Sequence, residues 1–202
     1  MNISGTIAEA VFIIVMLSWF VFAGVFIFRK KPPPAPEKKR DNGARYGIAL
    51  EGIGNACVWA VRRPAFTPIF PFGFPVEIVL ALMTVAVAIS SSLLALAAVR
   101  TLGKQWAYAA RIVDDHELIT QGPYSIVRNP IYTGMFGLMI ATGLAISFWW
   151  AFPPAIVFFW TGTMMRIRAE EKLLREAFGN EFDAYAGRVP ALLPRFGAGT
   201  SR

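Results

Sequence analysis

The sequence contains very little of what proteins use to build disulfide frameworks and metal sites. Its 202 residues include one cysteine, Cys57, and one histidine, His116. A lone cysteine excludes an internal disulfide, and with a single histidine we expect no protein-built metal site. Charged residues are also scarce, at 16% of the chain, whereas hydrophobic residues make up 55% and the mean hydropathy is +0.50. This composition predicts one membrane-embedded domain over residues 1–202 and excludes an ordinary soluble protein.

Long apolar runs predict an all-α, polytopic membrane protein with about five transmembrane helices, since a bilayer crossing needs about 20 apolar residues. The clearest run is interrupted only by Glu9, ends at Arg29 and lacks a signal-peptide cleavage site, so we expect a retained helix. The second run is the weakest, because it is short and carries Glu51. The candidate spans are Thr6–Phe28, Tyr46–Val61, Val76–Val99, Ile131–Trp150 and Ala151–Ile167.

The distribution of positive charge favours five crossings. If all the runs cross, every one of the 20 Lys and Arg residues except Arg62 and Arg63 lies on one side of the membrane. If the second run does not cross, these residues divide almost evenly. Positive residues accumulate on the cytoplasmic side, so the first arrangement predicts an outside amino terminus and a cytoplasmic carboxyl terminus in the inner or plasma membrane. The net charge of +7 then follows from topology, and nucleic acid need not be a partner.

Two connecting segments have compositions that predict no regular structure. The segment Lys30–Arg45 is basic and proline-rich, so we expect an extended, solvated connector. The segment Pro64–Pro75 is rich in proline and phenylalanine and predicts an irregular loop at the membrane interface.

The last two runs form a predicted helical hairpin with legs of nearly equal length. The turn at 149–154 combines tryptophans, which favour the headgroup level, with prolines, which cannot continue a helix. One leg runs from Tyr132 to Trp150 and the other from Ala151 to Glu170, so at about 1.5 Å per residue both feet lie at the same depth. We therefore expect these polar residues to converge at the cytoplasmic membrane face: Arg128, Asn129, Tyr132, Arg166 and Glu170.

The same residues have structural interpretations that the spacing alone leaves open. Asn129 and Pro130 suit the N-cap and the first position of a helix. That helix start would also offer backbone N–H groups to a ligand carboxylate. Arg166 and Glu170 are spaced i, i+4 and, together with Glu171, are equally compatible with a solvated helix face.

The order of these motifs resembles the isoprenylcysteine carboxyl methyltransferase and phospholipid methyltransferase families. Gly122–Gly134 reads G-P-Y-S-I-V-R-N-P-I-Y-T-G and is similar to the family pattern G-x-Y-x-x-x-R-H-P-x-Y-x-G. A hydrophobic hairpin, an arginine and paired glutamates follow in both. The stretches D-D-H-E-L-I-T and F-G-N-E-F-D-A-Y-A-G-R-V-P-A-L-L-P are also similar, so the resemblance covers about Leu102–Pro194. Residues 1–100 then hold the first three helices, and residues 101–196 hold the methyltransferase core.

The resemblance implies a membrane-embedded methyltransferase that uses S-adenosyl-L-methionine and acts on a lipophilic or lipid-modified substrate, with its cofactor site at the cytoplasmic carboxy-terminal end. It implies that Arg166 binds the substrate and Glu170 the cofactor, both as catalytic residues. Asn129 stands where isoprenylcysteine methyltransferases usually have histidine, and asparagine cannot carry a proton at neutral pH. The positions implied to bind the cofactor are His116, Glu117, Leu118, Ile119, Tyr124, Asn129, Pro130, Ile131, Tyr132 and Glu170.

More than one methyl acceptor and more than one class of function are compatible with the sequence. Arg166 would position a carboxylate acceptor, which needs no base, whereas an amine acceptor such as a phospholipid headgroup would need Glu170 or Glu171 to take a proton. Membrane sterol and steroid reductases have a similar cofactor signature and would use NADPH, but no arginine cluster for the extra phosphate is evident. A non-enzymatic scaffold or small transporter should place polar residues at mid-bilayer, where Glu51 is the one candidate.

Overall fold

The computed structural model describes residues 3–27, 39–40, 44–64, 67, 73–103, 111–112 and 118–194, and these residues are almost entirely helical. The α-helices are α1 (Ile3–Ile27), α2 (Ala44–Ala60), α3 (Phe74–Leu102), α4 (Pro130–Ile146), α5 (Phe152–Phe178) and α6 (Asn180–Arg188). Short 3₁₀ helices at Gly122–Ser125 and Trp149–Ala151 precede α4 and α5. Two-residue strands, β1 (Lys39–Arg40) and β2 (Arg111–Ile112), pair antiparallel. The predicted all-α class is confirmed apart from this one short pairing.

Helices α1 to α5 follow the predicted apolar runs, and α1 and α3 are long and apolar enough to cross a bilayer. Helix α4 is a shorter apolar helix. The predicted end of the fourth span at Trp150 was wrong, because α4 ends at Ile146. The backbone after Ile146 leaves the helix and forms hydrogen bonds with the segment that follows α2. Helix α5 continues past the predicted span end at Ile167 and the predicted foot at Glu170, and it ends at Phe178. Hydropathy does not detect this extension because it is polar and amphipathic.

The described helices pack closely in pairs. Helix α2 lies along α5, and α3 lies along both α1 and α4. A Cβ added at Gly134 would lie 2.7 Å from the Ser91 carbonyl oxygen, so the α3–α4 approach requires glycine there. Between α1 and α4, the indole of Trp19 donates to the Thr142 hydroxyl at 2.8 Å. Small residues at helix contacts are typical of membrane bundles, where backbone proximity supplies the packing energy.

Connecting segments meet at opposite ends of the bundle. At one end β1, from the α1–α2 connection, pairs with β2, from the α3–α4 connection. At the other end Phe148 N donates to Val61 O at 3.1 Å, and Arg63 N donates to Ile146 O at 2.9 Å. The Arg63 side chain donates to the last carbonyls of α4, and burial lowers its pKa to about 10. Most of the two predicted irregular connectors lies outside the described residues.

Candidate active site

The start of α4 is held by the segment that follows α6. Pro130 occupies the first turn, as predicted. Asn129 occupies the predicted N-cap position, but its side chain makes no capping bond, and its Nδ2 instead donates to Ala191 O at 2.9 Å. Asn129 N donates to the same carbonyl at 3.1 Å, and Thr133 Oγ1 donates to Leu192 O at 2.6 Å. The carboxy-terminal segment thus supplies the acceptors at this helix start.

The two feet of the α4–α5 hairpin meet directly. The buried hydroxyl of Tyr132 donates a hydrogen bond to Glu170 Oε1. Tyr132 lies in the first turn of α4 and Glu170 lies in the carboxy-terminal part of α5. The predicted equal position of these two residues along the hairpin is therefore confirmed.

Arg166 contacts both Tyr132 and a residue of α2. Its guanidinium carbon lies 4.7 Å above the centre of the Tyr132 ring, a cation–π geometry. Its Nη1 donates to Glu51 Oε2 at 2.7 Å, and Thr163 Oγ1 donates to Glu51 Oε1 at 2.9 Å. Glu51 is only 3% exposed. We call Glu51, Tyr132, Arg166 and Glu170 the hairpin-foot cluster.

Sequence reasoning missed the part that Glu51 plays at this site. It singled Glu51 out as an acidic residue in a weak apolar run and as the one candidate for a polar residue at mid-bilayer, and it did not connect Glu51 with Arg166. A carboxylate within a membrane span is costly unless it is paired, so the predicted second span already implied a partner for Glu51. The identity of the partner depended on which helix packs against α2.

Arg128 lies at the same end of the hairpin, as expected, but it pairs with Glu171 and is not part of the hairpin-foot cluster. Its Nη2 lies 2.8 Å from Glu171 Oε1, and its Nε donates to the same oxygen at 2.8 Å. Its Nη1 donates to Ala186 O at 2.8 Å and also to Val189 O. Because Arg128 donates to two carbonyls at the end of α6 and pairs with Glu171 of α5, it links these two helices.

The remaining residues that the resemblance assigned to the cofactor lie in or near the segment before α4. Leu118, Ile119 and Ile131 are half-buried there. Tyr124 is buried, and its carbonyl accepts a 2.7 Å hydrogen bond from the Tyr185 hydroxyl. Burial raises the pKa of Tyr185 to about 12. His116 and Glu117 lie outside the described residues.

The charges of the hairpin-foot cluster suit a cationic ligand. With both carboxylates ionised, the two negative charges of Glu51 and Glu170 outnumber the one positive charge of Arg166, so the cluster carries one net negative charge. The neighbouring Arg128–Glu171 pair is neutral as a unit. The buried Arg166 Nε makes no hydrogen bond to the described residues. The cluster therefore offers both negative charge and a donor.

Fold and cluster together define an α-helical membrane protein with a charged site at one end of a helical hairpin. Residues 76–181 match the family model for phospholipid methyltransferases, which covers more than half of the chain. The chain belongs to the phospholipid methyltransferase family. The matched range contains Tyr132, Arg166 and Glu170, whereas Glu51 lies outside it. Family membership and the two long apolar helices indicate an integral membrane protein.

Similar proteins carry two kinds of name. A probable protein-S-isoprenylcysteine O-methyltransferase from Oryza sativa subsp. indica is 33% identical over 99 residues, which are 48% of this chain and 52% of that protein. The protein-S-isoprenylcysteine O-methyltransferase of Schizosaccharomyces pombe is 32% identical over 83 residues, 40% of this chain and 34% of that protein. The nickel-cobalt-cadmium resistance protein NccN of Alcaligenes xylosoxydans xylosoxydans is 38% identical over 90 residues, 39% and 37% of the two chains. The chain spans about half the length, or less, of these relatives.

Proposed function

We propose that this protein is a membrane-embedded methyltransferase that uses S-adenosyl-L-methionine and acts on a lipophilic acceptor. The observation that carries the proposal is the Tyr132–Glu170 hydrogen bond at the feet of the hairpin, in a chain of the phospholipid methyltransferase family. The two residues that the resemblance assigns to the cofactor are adjacent, although they lie on different helices. Family membership alone would not require that adjacency.

The cofactor is proposed to bind beside Glu170, with Tyr132 orienting the carboxylate through its hydroxyl. S-adenosyl-L-methionine supplies an already activated methyl group, so the protein needs chiefly to align donor and acceptor. The net negative charge of the hairpin-foot cluster complements the sulfonium cation. The family resemblance implies that residues in the segment before α4 line the same site. They are His116, Glu117, Leu118, Ile119 and Tyr124.

The acceptor is proposed to be isoprenylcysteine-like, with a carboxylate that Arg166 positions. Nη1 of Arg166 is engaged by Glu51, whereas its buried Nε has no acceptor among the described residues and can donate to the acceptor carboxylate. The names of the rice and fission-yeast relatives support this acceptor class. A phospholipid amine is the second candidate, supported by the name of the matching family. Glu170 would then take the proton that an amine must lose.

The site is proposed to face the cytoplasm, with all five predicted spans crossing and the amino terminus outside. The two meeting points of the connecting segments support this topology, because alternate connections of an up-and-down bundle meet at the same end. The cofactor would then enter from the cytosol while the acceptor arrives from the bilayer. A site at the boundary between the two serves both.

Transfer of a labelled methyl group tests the proposal. Purified protein in lipid nanodiscs is incubated with methyl-labelled S-adenosyl-L-methionine and, separately, a farnesylated cysteine analogue or phosphatidylethanolamine vesicles. We expect label in the organic phase with the first acceptor and none with Glu170→Gln protein. Label that appears only with the vesicles selects the amine alternative. Absence of label with both acceptors and with total membrane lipid contradicts the proposed activity.

A further inference from the structure

Glu51 is placed at the site by a helix outside the region that defines the family. It belongs to α2, whereas the family match begins at residue 76. Its carboxylate is 3% exposed and accepts hydrogen bonds from Arg166 and Thr163, both on α5. A buried carboxylate loses much of its hydration, and a partner must compensate for that loss. An apolar residue would serve better if α2 were only an anchor.

Glycines bring α2 and α5 close enough for this contact. A Cβ at Gly47 would lie 2.5 Å from Arg166 Cγ and 2.7 Å from Gly162 O. A Cβ at Gly162 would lie 2.5 Å from Gly47 O and 2.9 Å from Glu51 N. Each helix therefore has a glycine at the point where the backbone of the other helix approaches it most closely. The backbone approach holds the Arg166 stem and the Glu51 carboxylate at a fixed separation.

The ion pair changes which charge the hairpin-foot cluster presents. Arg166 and Glu170 are spaced i, i+4 on α5, so without Glu51 they would neutralise each other. Because Arg166 Nη1 binds Glu51 instead, Glu170 remains the partner of the uncharged Tyr132 hydroxyl. With both carboxylates ionised, one net negative charge is thereby shared by Glu51 and Glu170 around Arg166, beside the proposed position of the cofactor.

We infer that Glu51 is a specificity-determining residue that lets the site prefer the charged cofactor over its uncharged product. This inference rests on the proposed function. S-adenosyl-L-methionine carries a sulfonium cation, and loss of the methyl group leaves S-adenosylhomocysteine, a neutral thioether otherwise identical. A net negative cluster therefore distinguishes the two ligands by one unit charge. Product release is favoured by the same charge that binds the cofactor.

A charge series measured by calorimetry tests the inference. Glu51→Gln keeps the side-chain shape and removes the net negative charge of the cluster. The ratio of S-adenosyl-L-methionine to S-adenosylhomocysteine affinity should fall by about 2-fold to 30-fold, the range Coulomb's law gives for unit charges about 8 Å apart between bulk water and a partly buried site. Arg166→Gln should raise the ratio. The double variant Glu51→Gln with Arg166→Gln restores one net negative charge and should return the ratio towards that of the unmodified protein.

Thr163→Val is the matched control, because it removes a hydrogen bond to Glu51 without changing charge and should leave the ratio as it was. An unchanged ratio in Glu51→Gln protein that still binds the cofactor overturns the inference and leaves the proposed function intact. Equal loss of both ligands assigns Glu51 to structure alone and also overturns it. Should Glu51→Gln not fold, as thermal unfolding would reveal, Arg166→Gln and the double variant decide the question. Failure of the unmodified protein to bind the cofactor contradicts the proposed function itself.

Discussion

Tyr132 and Glu170 close the α4–α5 hairpin through one hydrogen bond, from the Tyr132 hydroxyl to the Glu170 carboxylate, across 38 positions of sequence. The bond joins Tyr132, in the first turn of α4, to Glu170, in the carboxy-terminal part of α5, although α4 ends at Ile146 and the link to α5 is not a continuous helix. It also fixes the carboxylate orientation within a largely buried site. The polar residues at the hairpin foot therefore form a positioned group, and the solvated-face interpretation of Glu170 was wrong.

Removing either partner of this bond should weaken cofactor binding. Tyr132→Phe and Glu170→Gln are each expected to cost about 1–3 kcal/mol in S-adenosyl-L-methionine affinity, the range for losing a hydrogen bond to a charged or buried group. Glu171→Gln is the matched control, because Glu171 is the next residue and pairs with Arg128. It should lower the unfolding midpoint and leave the affinity unchanged. Calorimetry that finds Glu171 more important than Glu170 would shift the site by one residue.

Arg166 should serve the acceptor more than the cofactor. Arg166→Ala is expected to leave S-adenosyl-L-methionine affinity undiminished while lowering turnover at least about 10-fold, because the acceptor loses its positioning group. Arg166→Lys should recover only part of the turnover, since an ammonium cannot reproduce a bidentate carboxylate contact. The measurement pairs calorimetry with steady-state rates in one preparation. Loss of cofactor binding in folded Arg166→Ala protein would move the residue to the cofactor side.

The glycine contacts between α2 and α5 should be intolerant of a methyl group. Gly47→Ala places a Cβ 2.5 Å from Arg166 Cγ and should cost about 1–3 kcal/mol by overpacking. Gly52→Ala lies on the same helix with nothing within 4 Å and should be neutral or stabilising. Thermal unfolding in detergent compares the two variants. Equal midpoints would show that the close approach of α2 is not maintained.

Topology is testable with single cysteines in Cys57→Ser protein. Arg62→Cys lies at the end of the bundle that contains the Trp149–Ala151 turn. Lys172→Cys lies at the other end, near Glu170, and both positions are exposed. An impermeant maleimide added to intact cells should label Arg62→Cys at once and Lys172→Cys only after lysis. Labelling of both from one side would refute the five-crossing arrangement, and the reverse pattern would invert it.

The sequence was sufficient to predict helices α1 to α5, because apolar runs separated by proline and charge are typical of helices, and α1 and α3 are long and apolar enough to cross a bilayer. It also predicted that Tyr132 and Glu170 converge, from the nearly equal numbers of residues on either side of the turn, although α4 ends four residues earlier than that count assumed. The end of α4 was missed, because hydropathy cannot detect that the backbone at Ser147 leaves the helix to meet the segment after α2. Helix α6 was not foreseen as a separate element, although the glycine at position 179 adopts a positive φ between it and α5.

The tertiary contacts of the charged residues could not be derived from spacing. Arg128 and Arg166 both follow the pattern expected of site residues, yet one fastens α6 and the other pairs with α2. Which acid an arginine meets depends on packing between distant elements, and Glu51 and Arg166 are separated by 115 positions. A buried acid in a membrane helix predicts that a partner exists, but periodicity within one helix does not identify it.

Direct binding of candidate cofactors tests the central claim most directly. Purified protein is titrated by calorimetry with S-adenosyl-L-methionine, S-adenosylhomocysteine and NADPH, with Glu170→Gln protein as the site control. We expect the first two ligands to bind, both to bind more weakly to Glu170→Gln protein, and NADPH to give no heat of binding. Binding of NADPH with no response to S-adenosyl-L-methionine would contradict it and would identify a reductase built on the same hairpin.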